Sequence, residues 1–207
     1  EKDVFSKINN ILLQEAIESK KIRLVKGLRI FPFQVKPIHK ILEDNFYPFL
    51  PGISGNRENI MNFLKEINVN IKDDKGFKDL IDMPETELKN IFSAVIIKTI
   101  GEIKGDVFGN LYIIKMTEET EDANGIITYL ETFVKLRKPH LGVALLFNNK
   151  KLRRDAIGRF YEFSKDVVQA LQWYSSHRKT EEVIERESIV IINTKFSEVI
   201  TNSLIET

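Results

Sequence analysis

The sequence of 207 residues contains no cysteine. This absence excludes disulfide bonds and thiolate metal ligands, and it is typical of an intracellular protein. Long apolar runs are missing too, since no stretch of about 18 consecutive apolar residues occurs. We therefore expect a cytoplasmic protein without a membrane span.

An excess of charge of either sign is also absent, because 31 basic residues face 30 acidic ones and the net charge is +1. Any contact with nucleic acid must therefore come from a local basic patch. Histidine is scarce, and His39, His140 and His177 lie far apart without the spacing of metal ligands. Phosphate-binding loops and GxSxG nucleophile motifs are missing as well. We expect no cofactor and no resident metal.

What the chain does have is apolar material, with 43% hydrophobic residues and 14 Phe, which suits a packed core and argues against disorder. Apolar spacing predicts helices over the following ranges: 4–17, 37–42, 57–68, 85–100, 126–136, 152–174 and 196–204. Strands are predicted at 111–116, 142–147 and 189–192, and the second and third read as buried.

Strands and helices alternate in the second half of the chain, which indicates the α/β class. We predict a helical N-terminal lobe, residues 1–105, followed by an α/β lobe, residues 106–207, with a small, mainly parallel sheet.

A junction at residues 46–56 combines two prolines and two glycines with large apolar side chains. Proline favours extended backbone before it, and glycine permits tight turns, so the chain should turn near Gly52 and Gly55. Ser54 or Asn56 should then cap the helix that follows.

Basic residues are concentrated around residues 135–154. They stand at the end of one predicted helix, at the start of the next and after the long helix, and they are Lys135, Arg137, Lys138, Lys150, Lys151, Arg153, Arg154 and Arg178. With aromatics nearby, such residues can hold phosphates and stack bases. The alternative is that the aromatics belong to the core and the charges are solvated.

Two stretches resemble archaeal RecJ-like proteins of the DHH–DHHA1 family. Residues 38–56 resemble the segment that follows the catalytic DHH domain, and residues 122–144 resemble the start of the DHHA1 domain. Arg159-Phe160-Tyr161 and residues 187–193 continue the match in the same order. The resemblance implies an α/β fold of the DHHA1 type in the second half.

The chain departs from the active members of this family in three places. About 35 residues precede the matched segment, and they contain one Asp and no His, whereas active members hold two metal ions in a preceding domain. The family's Asn-Ala-Cys-Gly-Arg run is replaced by residues 131–135, which read ETFVK, and the closing Gly- and His-rich run is missing. We therefore expect a protein that is not an enzyme.

A RecJ-like chain without its catalytic domain resembles the truncated archaeal counterparts of the eukaryotic cell-division-cycle-forty-five protein. That resemblance implies a non-catalytic DNA replication factor, with GINS and the MCM helicase as partners. Some aromatics near the junction should then meet the N-terminal helix or a partner, the candidates being Phe31, Phe33, Phe46, Tyr47 and Phe49. The alternatives are a single-stranded-DNA-binding module and a fragment of a longer active nuclease.

Overall fold

The computed structural model describes residues 2–44, 46–74, 76–99, 107–115, 120–147, 149–186, 189–192 and 195–206. Within these ranges the helices are α1 (Lys2–Glu18), α2 (Ile38–Asp44), α3 (Arg57–Glu66), α4 (Glu85–Lys98), α5 (Ala123–Lys135), α6 (Pro139–Leu146), α7 (Lys150–His177) and α8 (Glu198–Glu206). The strands are β1 (Ile22–Leu28), β2 (Lys72–Asp73), β3 (Gly76–Phe77), β4 (Phe108–Lys115), β5 (Thr120–Asp122), β6 (Val183–Arg186) and β7 (Ile189–Ile192). None of the described helices is both long and apolar enough to cross a bilayer.

The main sheet has three strands in the order β1-β4-β5, and both pairings are antiparallel. β1 pairs with β4 along its whole length, from Ile22 opposite Ile114 to Leu28 opposite Phe108. Two separate hairpins, β2–β3 and β6–β7, are also antiparallel. The expectation of a mainly parallel sheet was therefore wrong, although a mixture of helices and strands is present.

The parallel arrangement fails because its expected central strand, residues 142–147, is helical. These residues belong to α6 and its C-terminal end. A short, continuous apolar run has no period that separates a buried strand from a buried helix. Pro139 in the first helical turn favours a helix start, since its fixed φ suits that position. Gly142 lets α6 approach α5, because a Cβ there would lie 3.0 Å from Leu130 Cδ2.

The predicted strand at 189–192 is present as β7, which forms an antiparallel hairpin with β6. The prediction that this strand is buried concerns side chains that the structure does not describe. Glycines within residues 104–110 and the acidic run at 118–122 predict two loops from the sequence, and both fall partly outside the described ranges. Their described ends, residues 109–110 and 120–122, belong to β4 and β5.

The helices predicted from apolar spacing are present, and side chains cap several of them. The Asn56 side chain accepts a hydrogen bond from Asn59 N–H at 3.1 Å and begins α3. Asn149 accepts from the N–H groups of Lys151 and Leu152 at the start of α7. Such caps satisfy donors that have no partner within the helix.

One large apolar core joins the first and second halves of the chain. It includes Leu28, Leu50 and Ile60 from the first half, and Tyr129 and Phe160 from the second. A second cluster centres on the C-terminal half of α7, where Phe163, Val167, Leu171 and others meet Phe49 and Ile200. The proposed lobe boundary near residue 105 lies outside the described residues, so the two-lobe division stays a prediction.

The junction at 46–56 packs against α7. Gly52 and Gly55 have φ of 72° and 75°, which confirms the predicted turns. The Ser54 hydroxyl accepts a hydrogen bond from Leu50 N–H at 2.9 Å. From α7, the Gln172 side chain donates to the Ser54 carbonyl at 2.8 Å. The junction is thereby fixed to the long helix.

Candidate interaction site

The five aromatics expected near a partner occupy different environments. Phe31, Phe33 and Phe49 are buried, with at most 3% of their surface exposed. Phe33 packs on the rings of Tyr129 and Phe160, so it fills the core of the chain itself. Burial of their apolar surface inside the fold leaves these three residues no surface for a partner.

Phe46 and Tyr47 lie closer to the surface. Phe46 is half-buried and contacts the Phe163 ring edge-on at 6.1 Å between centroids. Tyr47 is 36% exposed. Partner binding through these two residues stays a prediction.

Lys36 forms a half-buried polar contact that no sequence motif indicated. Its ammonium donates hydrogen bonds to the hydroxyls of Tyr129 and Tyr161, at 2.8 and 2.9 Å. The same ammonium lies 4.1 Å from the centre of the Phe33 ring, within the range of a cation–π interaction. Burial raises the pKa of Tyr129, so its phenol stays a neutral acceptor for this cation.

A cavity of about 380 Å³ lies beside this contact, lined by Val35, Lys36, Thr120, Glu121, Tyr129, Ile157 and Tyr161. Its charged groups are already engaged. Arg153 forms an ion pair with Glu121 at 3.0 Å and also donates to the Leu145 carbonyl at 3.1 Å. The cavity therefore has the polar lining of a structural network, in which each cation has an internal partner.

Asp122 links the segment before α2 to the start of α5. One carboxylate oxygen accepts from Gln34 N–H at 2.7 Å, and the other accepts from Gly125 N–H at 2.9 Å. Burial raises the pKa of Asp122, and the two backbone donors oppose that rise. Gly125 is needed here, because a Cβ would lie 2.8 Å from the Phe33 ring.

The predicted DNA-binding residues do not form one patch. Arg153 is nearly buried and pairs with Glu121, so its role is internal. Lys150, Lys151 and Arg154 are exposed on the first turns of α7. Arg178 lies past the opposite end of α7, which has 28 residues and therefore extends for about 42 Å.

The third basic group lies at the end of α5. Lys135, Arg137 and Lys138 are exposed, and the first two line a cavity of about 290 Å³ with Glu198 and Asn202 of α8. Arg178 lies over the Tyr174 ring at 5.7 Å. DNA binding by these residues stays a prediction, and the structure divides them among three surfaces.

An exposed apolar surface covers α6, and we call it the α6 face. It consists of Val143, Leu146 and Phe147, which are 51%, 57% and 62% exposed. The spacing of three residues places Val143 and Leu146 on one side of the helix, and Phe147 follows directly as its C-cap. Ile127, which is 49% exposed, belongs to the neighbouring helix α5.

Arg153 joins the end of α6 to the segment before α5. Its guanidinium donates to the Leu145 carbonyl and pairs with Glu121, so the start of α5 lies near the end of α6. Ile127 belongs to the first turns of α5. The exposed cations Lys150, Lys151 and Arg154 follow α6 in the chain. An apolar centre with a charged rim is the usual anatomy of a protein interface.

Sequence reasoning missed the α6 face because residues 142–147 were predicted to be a buried strand. In the structure Val143 and Leu146 are exposed on α6, and Phe147 is exposed at its C-cap. Among the described residues, no three His, Asp or Glu side chains come together as a metal site.

Comparison with known proteins gives one family match. No curated protein matches the chain. Residues 30–105 match the family model described as the DHH-CID domain. The matched segment contains α2, the junction, α3 and α4, whereas α5 to α8 lie beyond it. This match supports a DHH-family member with a link to RecJ-like proteins.

Proposed function

We propose that this chain is a non-catalytic DNA replication factor that binds GINS and supports the MCM replicative helicase. The observation that carries the proposal is the DHH-CID match over residues 30–105. It agrees with the resemblance to inactive RecJ-like replication proteins, which comes from the order of segments beyond about residue 35. The protein would then act as a scaffold in the replisome.

The α6 face supports a binding role. Three large apolar side chains together at the surface are costly to leave in water, and such patches mark sites that a partner covers. Apolar anchors surrounded by a polar rim supply most of the free energy of binding in protein interfaces. We assign the α6 face as the contact to GINS.

Gel filtration of the purified chain with purified GINS tests the proposal. We expect a complex that persists at moderate salt, because an apolar contact is weakly screened. Addition of the complex to MCM should increase DNA unwinding over MCM with GINS alone. Separate elution of the two proteins at micromolar concentration would contradict the proposal.

A nuclease assay tests the proposed lack of catalysis. We expect no degradation of single-stranded DNA with Mg²⁺ or Mn²⁺, since the two-metal mechanism needs a cluster of carboxylate and imidazole ligands. Metal-dependent exonuclease activity that co-elutes with the pure chain on a further column would overturn the non-catalytic assignment.

A second candidate is a single-stranded-DNA-binding module, which the exposed cluster of Lys150, Lys151 and Arg154 favours. Neutralisation of these three residues to Gln should weaken DNA binding and reduce its salt dependence by about two to three units of slope. Lys135→Gln with Lys138→Gln provides a matched change on another surface. Binding that is absent even at low salt would leave the scaffold alone.

A further inference from the structure

The outer edge of β1 is open in the described part of the chain. β1 is the terminal strand of the order β1-β4-β5. Lys115 N–H donates to the Lys21 carbonyl at 2.9 Å, and Arg29 N–H donates to the Val107 carbonyl at 2.7 Å. These bonds show that odd-numbered residues face β4.

Hydrogen-bonding direction alternates along an antiparallel strand, so the even-numbered residues face away from β4. The N–H and C=O groups of Ile22, Leu24 and Lys26 thus point outward, and they make no hydrogen bond to any described residue. Leu28 is different, because its carbonyl accepts from the Gln34 side chain at 2.7 Å. The edge offers three consecutive places for ladder bonds.

This edge is strongly basic. Residues 20–29 read KKIRLVKGLR, and no acidic residue occurs from Ser19 to Leu42. The paired strand β4 also contains no acidic residue. Arg23 and Lys26 are both exposed, and their odd and even positions place one cation on each face of the strand.

Apolar contact is available at the same place. Leu24 is 44% exposed and stands opposite Tyr112 of β4, which is half-buried. α1 contacts β1, yet Ile8, Ile11 and Leu12 in the middle of this helix are 48% to 66% exposed. A strand laid along β1 could therefore bury an alternate apolar side chain against Leu24.

We propose that the outer edge of β1 binds an extended acidic segment of a partner protein, which adds to the sheet as a fourth strand. Strand addition of this kind takes its affinity from main-chain hydrogen bonds and its specificity from alternate side chains. Glu or Asp side chains of the added strand would pair with Arg23 and Lys26. The proposal uses residues other than the α6 face and does not depend on GINS.

Two other occupants fit this edge less well. A second copy paired through β1 would bring no acidic side chain to Arg23 and Lys26, because residues 20–29 contain none. A nucleic acid could neutralise the cations, but its phosphates only accept hydrogen bonds. The outward carbonyls of Ile22, Leu24 and Lys26 need donors, which another polypeptide backbone supplies.

A labelled ten-residue peptide of alternating Glu and Val tests the site by fluorescence anisotropy on the full chain at 50 mM salt. We expect saturable binding that a peptide of alternating Lys and Val does not show. With the Val side chains against Leu24, the Glu side chains share the face of Arg23. Arg23→Glu should therefore weaken binding at least about tenfold, because that charge pair becomes repulsive.

A matched pair at Leu24 tests the backbone contribution. Leu24→Pro removes an outward N–H without touching the ladder to β4, and an edge strand tolerates such a proline. Leu24→Ala shortens the side chain but keeps the N–H. We expect the proline variant to lose binding and the alanine variant to retain most of it. Circular dichroism establishes that both variants are folded.

Amide hydrogen exchange then locates the peptide. Bound peptide should slow exchange at Ile22, Leu24 and Lys26, whereas Arg23 and Val25 are already bonded to β4 and should change little. Three results would each overturn the proposal: no binding of the acidic peptide, protection confined to another part of the chain, or concentration-dependent protection of β1 without peptide. The last would identify a second copy as the occupant.

Discussion

The half-buried ammonium of Lys36 is stabilised by the side chains that surround it. Two tyrosine hydroxyls accept its protons, and the Phe33 ring faces the ammonium. The contact joins the DHH-CID segment, which contains Lys36, to α5 and α7, which carry the tyrosines. It therefore fastens the family-matched part of the chain to the remainder.

Lys36→Met should lower the free energy of unfolding by about 1–3 kcal/mol, because the buried hydroxyl of Tyr129 and the half-buried hydroxyl of Tyr161 lose a partner. Urea denaturation at pH 7 measures this change. Lys65→Met is the matched control, because Lys65 is exposed on α3 and its removal takes away the same charge without affecting the two tyrosine hydroxyls. Equal losses in the two variants would contradict the structural role of Lys36.

Asp79 should make stability depend on pH. Burial, and then the nearby charge of Asp82, raises its pKa from 3.8 to about 6. The folded state therefore binds the proton of Asp79 more tightly than the unfolded state does. The contribution of protonated Asp79 to the free energy of unfolding is complete below pH 3.8 and is lost as pH rises through about 6.

Asp79→Asn removes this titration. Relative to the native chain, the variant should gain about 1 kcal/mol in unfolding free energy between pH 4 and pH 7, a value reduced for solvent screening. Denaturation at several pH values measures the difference. The control is Asp166→Asn on the exposed side of α7, and a parallel pH curve for both variants would refute the assignment.

Residue types predicted the functional surfaces only in part. Arg153 and Arg154 are neighbours with the same chemistry, yet one is held by Glu121 and Leu145 while the other is exposed. The difference depends on which side of α7 faces β5, and this is a property of the packed structure. The buried fate of Phe31, Phe33 and Phe49 has the same origin.

At the scale of elements, local signals predicted the long helices well. Amphipathic spacing and capping residues such as Asn56 act within a few residues, so they can be read directly. The segment 142–147 has no such period, because it is apolar on every side. Its helix packs closely against α5 at Gly142. This tertiary contact cannot be read from the local sequence.

The two junction glycines offer a matched test of packing. Both have positive φ, but a Cβ at Gly55 would lie 2.5 Å from Val168 Cγ1, whereas none of the described atoms lies within 4 Å of a Cβ at Gly52. Gly52→Ala should cost about 1–2 kcal/mol from backbone strain alone.

Gly55→Ala should cost more than Gly52→Ala because a clash with α7 adds to the same strain. Thermal or urea unfolding measures both. Val168→Ala should recover part of the loss in a double variant, since it removes the atom that clashes. Equal losses for the two glycines, without recovery in the double variant, would show that the junction does not press on α7.

At the scale of the whole molecule, the pairing of β1 with β4 determines the sheet. These strands are far apart in sequence, and the residues of neither strand indicate which strand it pairs with. The DHH-CID match over residues 30–105 supports a DHH-family member, which the resemblance to RecJ-like proteins had indicated for that segment. The antiparallel topology arises from long-range contacts, which the order of local elements does not determine.

The central claim is that this chain binds GINS through the α6 face. Isothermal titration of GINS into the chain tests it most directly. We expect a dissociation constant in the micromolar range or tighter. Val143→Asp should weaken binding at least about tenfold, because a charge then replaces an apolar anchor.

Ile97→Asp, on α4, is the control, since Ile97 is 82% exposed and does not belong to the α6 face. We expect it to bind GINS as the native chain does. Absence of any heat of binding with the native chain, or equal weakening by both substitutions, would contradict the account.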